Sequence, residues 1–119
     1  MGSEMCIRDS LGPEQLAEQR PGIIYVSINA YGHVGPWAAR PGWEQLAQTV
    51  SGVAVDEGSF EAPRLIAAAA TDYTTGYLGA LGAMAALYCR SIEGGSYHVE
   101  VSLAPVSYTH LTLPTNSGV

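Results

Sequence analysis

The chain has no lysine. Among its 119 residues, Lys and Arg total five against eleven Asp and Glu, for a net charge of −6. Nucleic acids and anionic membranes recruit proteins through clustered cations, so neither is expected as a partner. The missing lysine also excludes a Schiff-base amine and the lysine of a phosphate-binding loop. Cysteine is scarce, with Cys6 and Cys89 only, and the three histidines are scattered, so no metal-ligand spacing exists and no metal is expected. Long apolar runs are lacking too. The stretch from Leu65 to Leu87 is broken by Asp72, by Thr71, Thr74 and Thr75, and by Gly76, Gly79 and Gly82. A membrane span needs about 20 predominantly apolar residues, so a core helix is the expectation there. The first residues lack an apolar h-region, which argues against a secretory signal. Lack of signals and disulfides fits a cytoplasmic, bacterial origin.

What is present, 47% apolar and 13% charged residues, is ordinary for a soluble globular protein, and the length suits one domain at most. The two ends differ from the middle. "EMCIRDS" (residues 4–10) can be written GAG ATG TGT ATA AGA GAC AGN. The complementary strand, read in frame, gives CCT GTC TCT TAT ACA CAT CTN, which is "PVSYTHL" (residues 105–111). One short DNA sequence thus encodes both ends from opposite strands, as a sequencing adaptor flanking a library fragment would. Residues 1–10 and 106–119 are therefore expected to be adaptor-encoded and are set aside as tags would be. That removes Cys6 and His110 from consideration. Residues 11–105 are read as an internal window of a longer chain.

Within the window, "LGPEQLAEQRPG" predicts a short helix, with Pro13 suited to a first turn. "GIIYVSINA" predicts a buried strand, and "YGHVGPWAARPG" a turn-rich loop. In "WEQLAQTVSG", Trp43, Leu46, Ala47 and Val50 recur at helical spacing and predict a helix ending at Gly52. Residues 53–64 read as irregular. A long helix follows from about Asp72 to Ile92, closed by Gly94 and Gly95, and "SYHVEVSL" alternates as a half-buried strand. Helix, strand, loop, helix, helix, strand is an α/β order. Two strands alone are marginal, so further strands are expected from sequence outside the window.

Three glycines inside a helix cost about 1 kcal/mol each relative to alanine, which tight packing must return. Gly76, Gly79 and Gly82, with Ala80 and Ala83, are expected to form a small-residue face for close approach. Tyr77, Leu81, Met84 and Tyr88 are expected to fill core from another face. Asp72 at the head of this helix has two readings. Asp is a preferred N-cap, stabilised by free N–H groups and the macrodipole. The same geometry would hold a carboxylate ionised for nucleophilic attack.

The ordered set of elements resembles the core of the family III CoA-transferases, the CaiB/BaiF or carnitine/formyl-CoA transferase group. A strand ends in G-x-x-G-P (Gly32 to Pro36) and is followed by G-aromatic-acid-x-x-x-Q (Gly42 to Gln48). Then come D-x-x-x-G (Asp72 to Gly76), A-L-x-x-R (Ala86 to Arg90) and V-x-V-S-L (Val99 to Leu103). The resemblance implies a Rossmann-like α/β fold of which this is a partial domain. It also implies an enzyme that moves CoA from an acyl-CoA to an acceptor carboxylic acid, with coenzyme A as substrate and no permanently bound cofactor. By resemblance the nucleophile is Asp72, passing through an aspartyl anhydride and an aspartyl-CoA thioester. Such chemistry needs a carboxylate ionised yet shielded from water.

The resemblance places Arg40, Gly42, Trp43 and Gln48 beside CoA and the acyl group. Arg40 is open to pairing with phosphate or to lying on the surface, and Trp43 to walling an acyl pocket or to ordinary core. Gln48 is open to the site or to the helix surface. His33 reads as a loop residue and His98 as a solvated strand residue. The related α-methylacyl-CoA racemases carry a histidine where this chain has Trp43, which demotes racemase activity. A non-catalytic α/β module with Asp72 as a cap is the remaining alternative. Family members are implied to be interlocked homodimers, so the chain by itself is expected to be inactive and poorly folded.

Overall fold

The computed structural model describes residues 11–106. Of the residues assigned to adaptor, 1–10 and 107–119 lie outside the described residues, whereas Val106 is described and is buried. The elements are α1 (Pro13–Gln19), β1 (Ile24–Asn29), α2 (Glu44–Val50), α3 (Val53–Asp56), α4 (Ala70–Glu93) and β2 (Tyr97–Ser102). The order is the expected one with α3 added. Residues 53–56, read as irregular from sequence, form that extra turn after Gly52, whose φ of 87° is left-handed and suits glycine. β1 and β2 pair in a two-stranded sheet. Tyr97 N–H donates to the Ile23 carbonyl (3.0 Å) and Ala104 N–H to the Ala30 carbonyl (2.9 Å), so the strands run parallel.

The chain divides into two compact units. One joins the described part of Met1–Ser27 to Gly79–Glu100, the other Ile28–Leu78 to the described part of Val101–Val119. In the first, α1 starts at Pro13, and the Gln15 side chain accepts the Gly12 N–H at 2.9 Å. Arg90 donates from its guanidinium to the Gly22 carbonyl at 2.5 Å, and Ser96 Oγ accepts the Gly22 N–H at 3.0 Å. Gly82 meets β2 directly: a Cβ there would lie 2.5 Å from Val99 Cγ1. A Cβ at Gly76 would meet nothing within 4 Å, so the expected close-packed face narrows to Gly82 for these two.

In the second unit, Asn29 closes the turn after β1, accepting from Gly32 N–H (2.9 Å) and donating to the Gly32 carbonyl (2.8 Å). Ala30, Ala47, Ala54, Leu103 and Ala104 are buried in this unit, alongside the polar Glu44, Gln48, Ser51, Thr71 and Thr75.

Three expectations are corrected here. β1 is not a buried strand: Ile28 is 56% exposed, on a sheet face that the described residues leave uncovered. On α2 the apolar set is buried only at Ala47, beside the polar Glu44 and Gln48, and Trp43 is exposed. On α4, Tyr77, Leu81, Met84 and Tyr88 are exposed rather than core. The buried positions of that helix are Thr71, Thr75, Gly79 and Ala86, small side chains that allow close approach.

Candidate active site

α4 begins at Ala70, the last of four alanines from Ala67, so the residues before Thr71 offer no side chain to cap its free N–H groups. Glu44, in the first turn of α2, supplies the acceptor. Its Oε1 accepts Thr71 N–H at 3.1 Å, and its Oε2 accepts Asp72 N–H at 2.7 Å and the Thr71 hydroxyl at 2.6 Å. One turn on, Gln48 donates to Glu44 Oε1 at 2.6 Å. The i, i+4 spacing puts the two side chains on one helix face.

Gln48 does more with the same amide. It donates to the Ala68 carbonyl (3.1 Å) and accepts the Ile66 N–H (2.8 Å), so donors and acceptor are all engaged within the protein. At 1% exposure it is buried, not the surface helix residue that polarity suggests. It fastens the segment 65–69 that leads into α4.

Burial raises the Glu44 carboxyl. The hydrogen bonds from Thr71, Gln48 and the N–H groups of Asp72 and Thr71 more than offset this, and it titrates below its ordinary 4.5. Asp72 behaves in the opposite way. Partial burial, then the nearby Glu44 charge, lift its carboxyl above the ordinary 3.8. Asp72 is the third residue of α4 and exposed, so its side chain is not what caps the helix. The anion position at this N-terminus belongs to Glu44. The expectation that the helix end shields the Asp72 carboxylate from water is corrected for this chain, in which Asp72 is exposed.

Asp72, Glu44, Gln48, Trp43 and Ile66 line a cavity of about 340 Å³ together with Ala67 to Ala69. Trp43 is 57% exposed at its edge and is not core. Its extended backbone precedes α2 without a side-chain cap. Arg40 and Gly42 are not among the lining residues. The Arg40 guanidinium lies 5.2 Å from the centroid of the Trp37 ring, which meets Tyr31 edge-on. Gly42 packs against the Ala30 Cβ and the Tyr31 ring, where an added Cβ would not fit.

The histidines lie elsewhere. His33 Nδ1 is 3.4 Å from the Ser102 hydroxyl. His98 is exposed but not merely solvated: its Nε2 is 2.7 Å from Ser27 Oγ, and Tyr25 meets its ring edge-on at 5.2 Å. Among the described residues no histidine lines the cavity. The residue that sequence reasoning missed is Glu44. Its signals were an acid in a first helical turn with Gln48 four residues on, and an alanine run ahead of α4 that leaves the helix without its own cap.

Comparison with known proteins identifies the family. The family model described as CoA-transferase family III matches residues 5–114. The acetyl-coenzyme A transferase nodX of Hypoxylon pulicicidum is 41% identical over 85 residues, covering 69% of this chain and 14% of that protein. The acetyl-CoA:oxalate CoA-transferase of Acetobacter aceti is 32% identical over 101 residues, covering 82% of this chain and 26% of that one. A crystal structure of a CaiB/BaiF family protein from Brucella suis superposes with a TM-score of 0.83 at 28% identity, over 92% of this chain and 29% of that one. The chain therefore spans about a quarter or less of the length of these curated relatives. From the D-x-x-x-G helix capped by Glu44 to the match over residues 5–114, the chain belongs to CoA-transferase family III.

Proposed function

We propose that the protein of which this chain is a segment transfers CoA from an acyl-CoA to an acceptor carboxylic acid, with Asp72 as nucleophile. The observation that carries this reading is that Asp72 reaches the cavity while Glu44 takes the helix-capping position. A carboxylate lifted above its ordinary basicity by burial and by Glu44 is also a stronger nucleophile once ionised.

In the first step an Asp72 carboxylate oxygen attacks the thioester carbonyl carbon. The C–S bond breaks, the electron pair leaves with CoA thiolate, and an aspartyl mixed anhydride remains. The thiolate then attacks the aspartyl carbonyl, expelling the donor acid as carboxylate and leaving an aspartyl-CoA thioester. The acceptor carboxylate attacks that thioester, and thiolate leaves again. Thiolate attack on the acceptor's carbonyl then gives the new acyl-CoA and restores Asp72. No proton is gained or lost over the cycle, so no general base is required. A cavity of about 340 Å³ has room for the thioester end of the substrate, with Trp43 at its edge. Trp43, at the position where the racemases carry their histidine, disfavours an α-proton exchange reaction.

By the same family reading the full-length protein works as a cytoplasmic homodimer on acyl-CoA and carboxylic acid substrates. Residues 1–10 and 106–119 are proposed to be adaptor-encoded, although the family match runs into both. Sequencing the source gene outward across Leu11 and Pro105 decides that point. The function is tested with Asp72→Asn in the full-length protein, assayed for acyl-group exchange between a labelled acyl-CoA and a panel of acids. Loss of exchange to the background rate is expected. Exchange at the wild-type rate would remove Asp72 from the reaction.

A further inference from the structure

We propose that Glu44 is the positioning residue for Asp72: its carboxylate, seated on the N–H groups of Thr71 and Asp72, holds the start of α4 and leaves the Asp72 side chain to the cavity. The inference rests on the reading of Asp72 as nucleophile.

An acidic side chain in the first turn of a helix ordinarily folds back onto the free N–H groups beside it. Here those groups are taken. Asp72 N–H donates to Glu44 Oε2 at 2.7 Å, and Thr71 N–H to Oε1 at 3.1 Å. Each Glu44 oxygen has a second donor, the Thr71 hydroxyl on Oε2 at 2.6 Å and the Gln48 amide on Oε1 at 2.6 Å. Four donors on two oxygens fix the rotation of the carboxylate as well as its position. Glu44 is 5% exposed, where an ionised group persists only if hydrogen-bonded in this way.

The arrangement has an electrostatic consequence. Two carboxylates share one helix end, so each ionised Glu44 makes ionisation of Asp72 harder and its oxygens more basic. Around Asp72, α2 contributes Glu44 as its charged neighbour, and the segment Leu65 to Ala70 contributes no titratable group. On α4 itself the adjacent titratable side chain is Tyr73. Removing the Glu44 charge while keeping its shape should therefore act on Asp72 in a defined direction.

The test uses the full-length protein with Glu44→Gln, Glu44→Asp and Asp72→Asn. Steady-state rates are taken across pH, and CoA bound to the Asp72 peptide is quantified by mass spectrometry. Glu44→Gln is expected to move the acid limb of kcat/KM to lower pH and to lower kcat about tenfold, with KM changed less than about threefold. Slower appearance of the CoA adduct should accompany it. Glu44→Asp, which keeps the charge on a shorter arm, is expected to lower kcat but leave the acid limb near its wild-type position. A Glu44→Gln enzyme with an unmoved acid limb and a loss that only tracks its thermal midpoint would overturn the proposal. If Glu44→Gln does not fold, Glu44→Asp decides it, since wild-type kcat there would also overturn the role. Asp72→Asn separates the two readings. An active Asp72→Asn removes the nucleophile itself, whereas an inactive one beside an unmoved Glu44→Gln limb removes only the role of Glu44.

Discussion

Two carboxylates at one helix end titrate in opposite directions, and their pH dependence is a residue-scale property. The folded Glu44 carboxyl lies below its ordinary 4.5, so the unfolded chain takes up that proton first as pH falls. Its stabilisation is then complete above about 4.5 and is lost as pH drops through the lower folded value. Asp72, raised above 3.8, contributes with the opposite sign: its relative stabilisation exists at low pH and is lost as pH rises through the folded value. Because Asp72 is exposed, solvent screens its share and Glu44 dominates. Urea midpoints measured between about pH 3 and pH 6 should fall toward acid in the wild type, and Glu44→Gln should flatten that slope. A slope left unchanged by Glu44→Gln would show that other carboxylates carry the acid loss. Thr75 makes a second residue-scale prediction. It is 1% exposed, and its hydroxyl has no hydrogen-bond partner among the described residues. An unsatisfied buried hydroxyl costs roughly 1–3 kcal/mol, and valine has nearly the same shape. Thr75→Val should raise the thermal midpoint, and a lowered midpoint would mean that the hydroxyl is partnered after all.

At the scale of elements, α4 shows what the sequence pattern could reveal and what it could not. Its span was legible because alanines and leucines run at helical spacing up to Gly94 and Gly95, whose φ values of 71° and 81° end it. β2 was legible from strict alternation, and the place of Asp72 in the first turn of α4 from the helical pattern that follows it. The orientation of α4 was misread because size was taken as the guide to burial. Its buried side carries Thr71, Thr75, Gly79 and Ala86, and nothing in a helical period says that the small face rather than the large one turns inward. Glu44 was missed for a related reason: an acid in a first turn normally serves its own helix, and its actual use depends on a helix start 26 residues later in sequence, at Ala70. Gly76 and Gly82 turn this into a measurement. Alanine gains about 1 kcal/mol over glycine in a helix interior. Gly76→Ala has open space around it and should realise most of that gain. Gly82→Ala places a Cβ 2.5 Å from Val99 Cγ1, and overpacking of this kind costs about 1–3 kcal/mol. The midpoint of Gly82→Ala should fall, and adding Val99→Ala should recover part of it. Equal gains at the two glycines would refute the close approach.

For the whole molecule, the question is whether these described elements can be stable alone. Five of the seven buried hydrophobic residues are alanines, and the largest side chains fully out of water are Gln48 and Thr75. Hydrophobic stabilisation scales at about 25 cal/mol per Å² of apolar surface buried, and alanine has little to bury. The large apolar side chains are on the outside instead. Tyr73, Tyr77, Leu81, Met84, Tyr88 and Ile92 recur every three or four residues along α4, and Tyr77 is 75% exposed. A stripe of that length marks a surface made to be covered. The chain spans only 14% and 26% of the two relatives compared above, so most of a complete family member lies outside it. The isolated 119-residue chain is therefore expected to melt broadly, to bind a hydrophobic dye and to associate with rising concentration in sedimentation. It should show no CoA transfer even with Asp72 intact, because a helix start that shifts as the chain fluctuates cannot hold the carboxylate against the thioester. The full-length protein should melt in a sharp transition and transfer CoA. A monomeric isolated chain with one cooperative transition would mean that the small polar and alanine core is sufficient, and the exposed stripe on α4 would then need a different explanation.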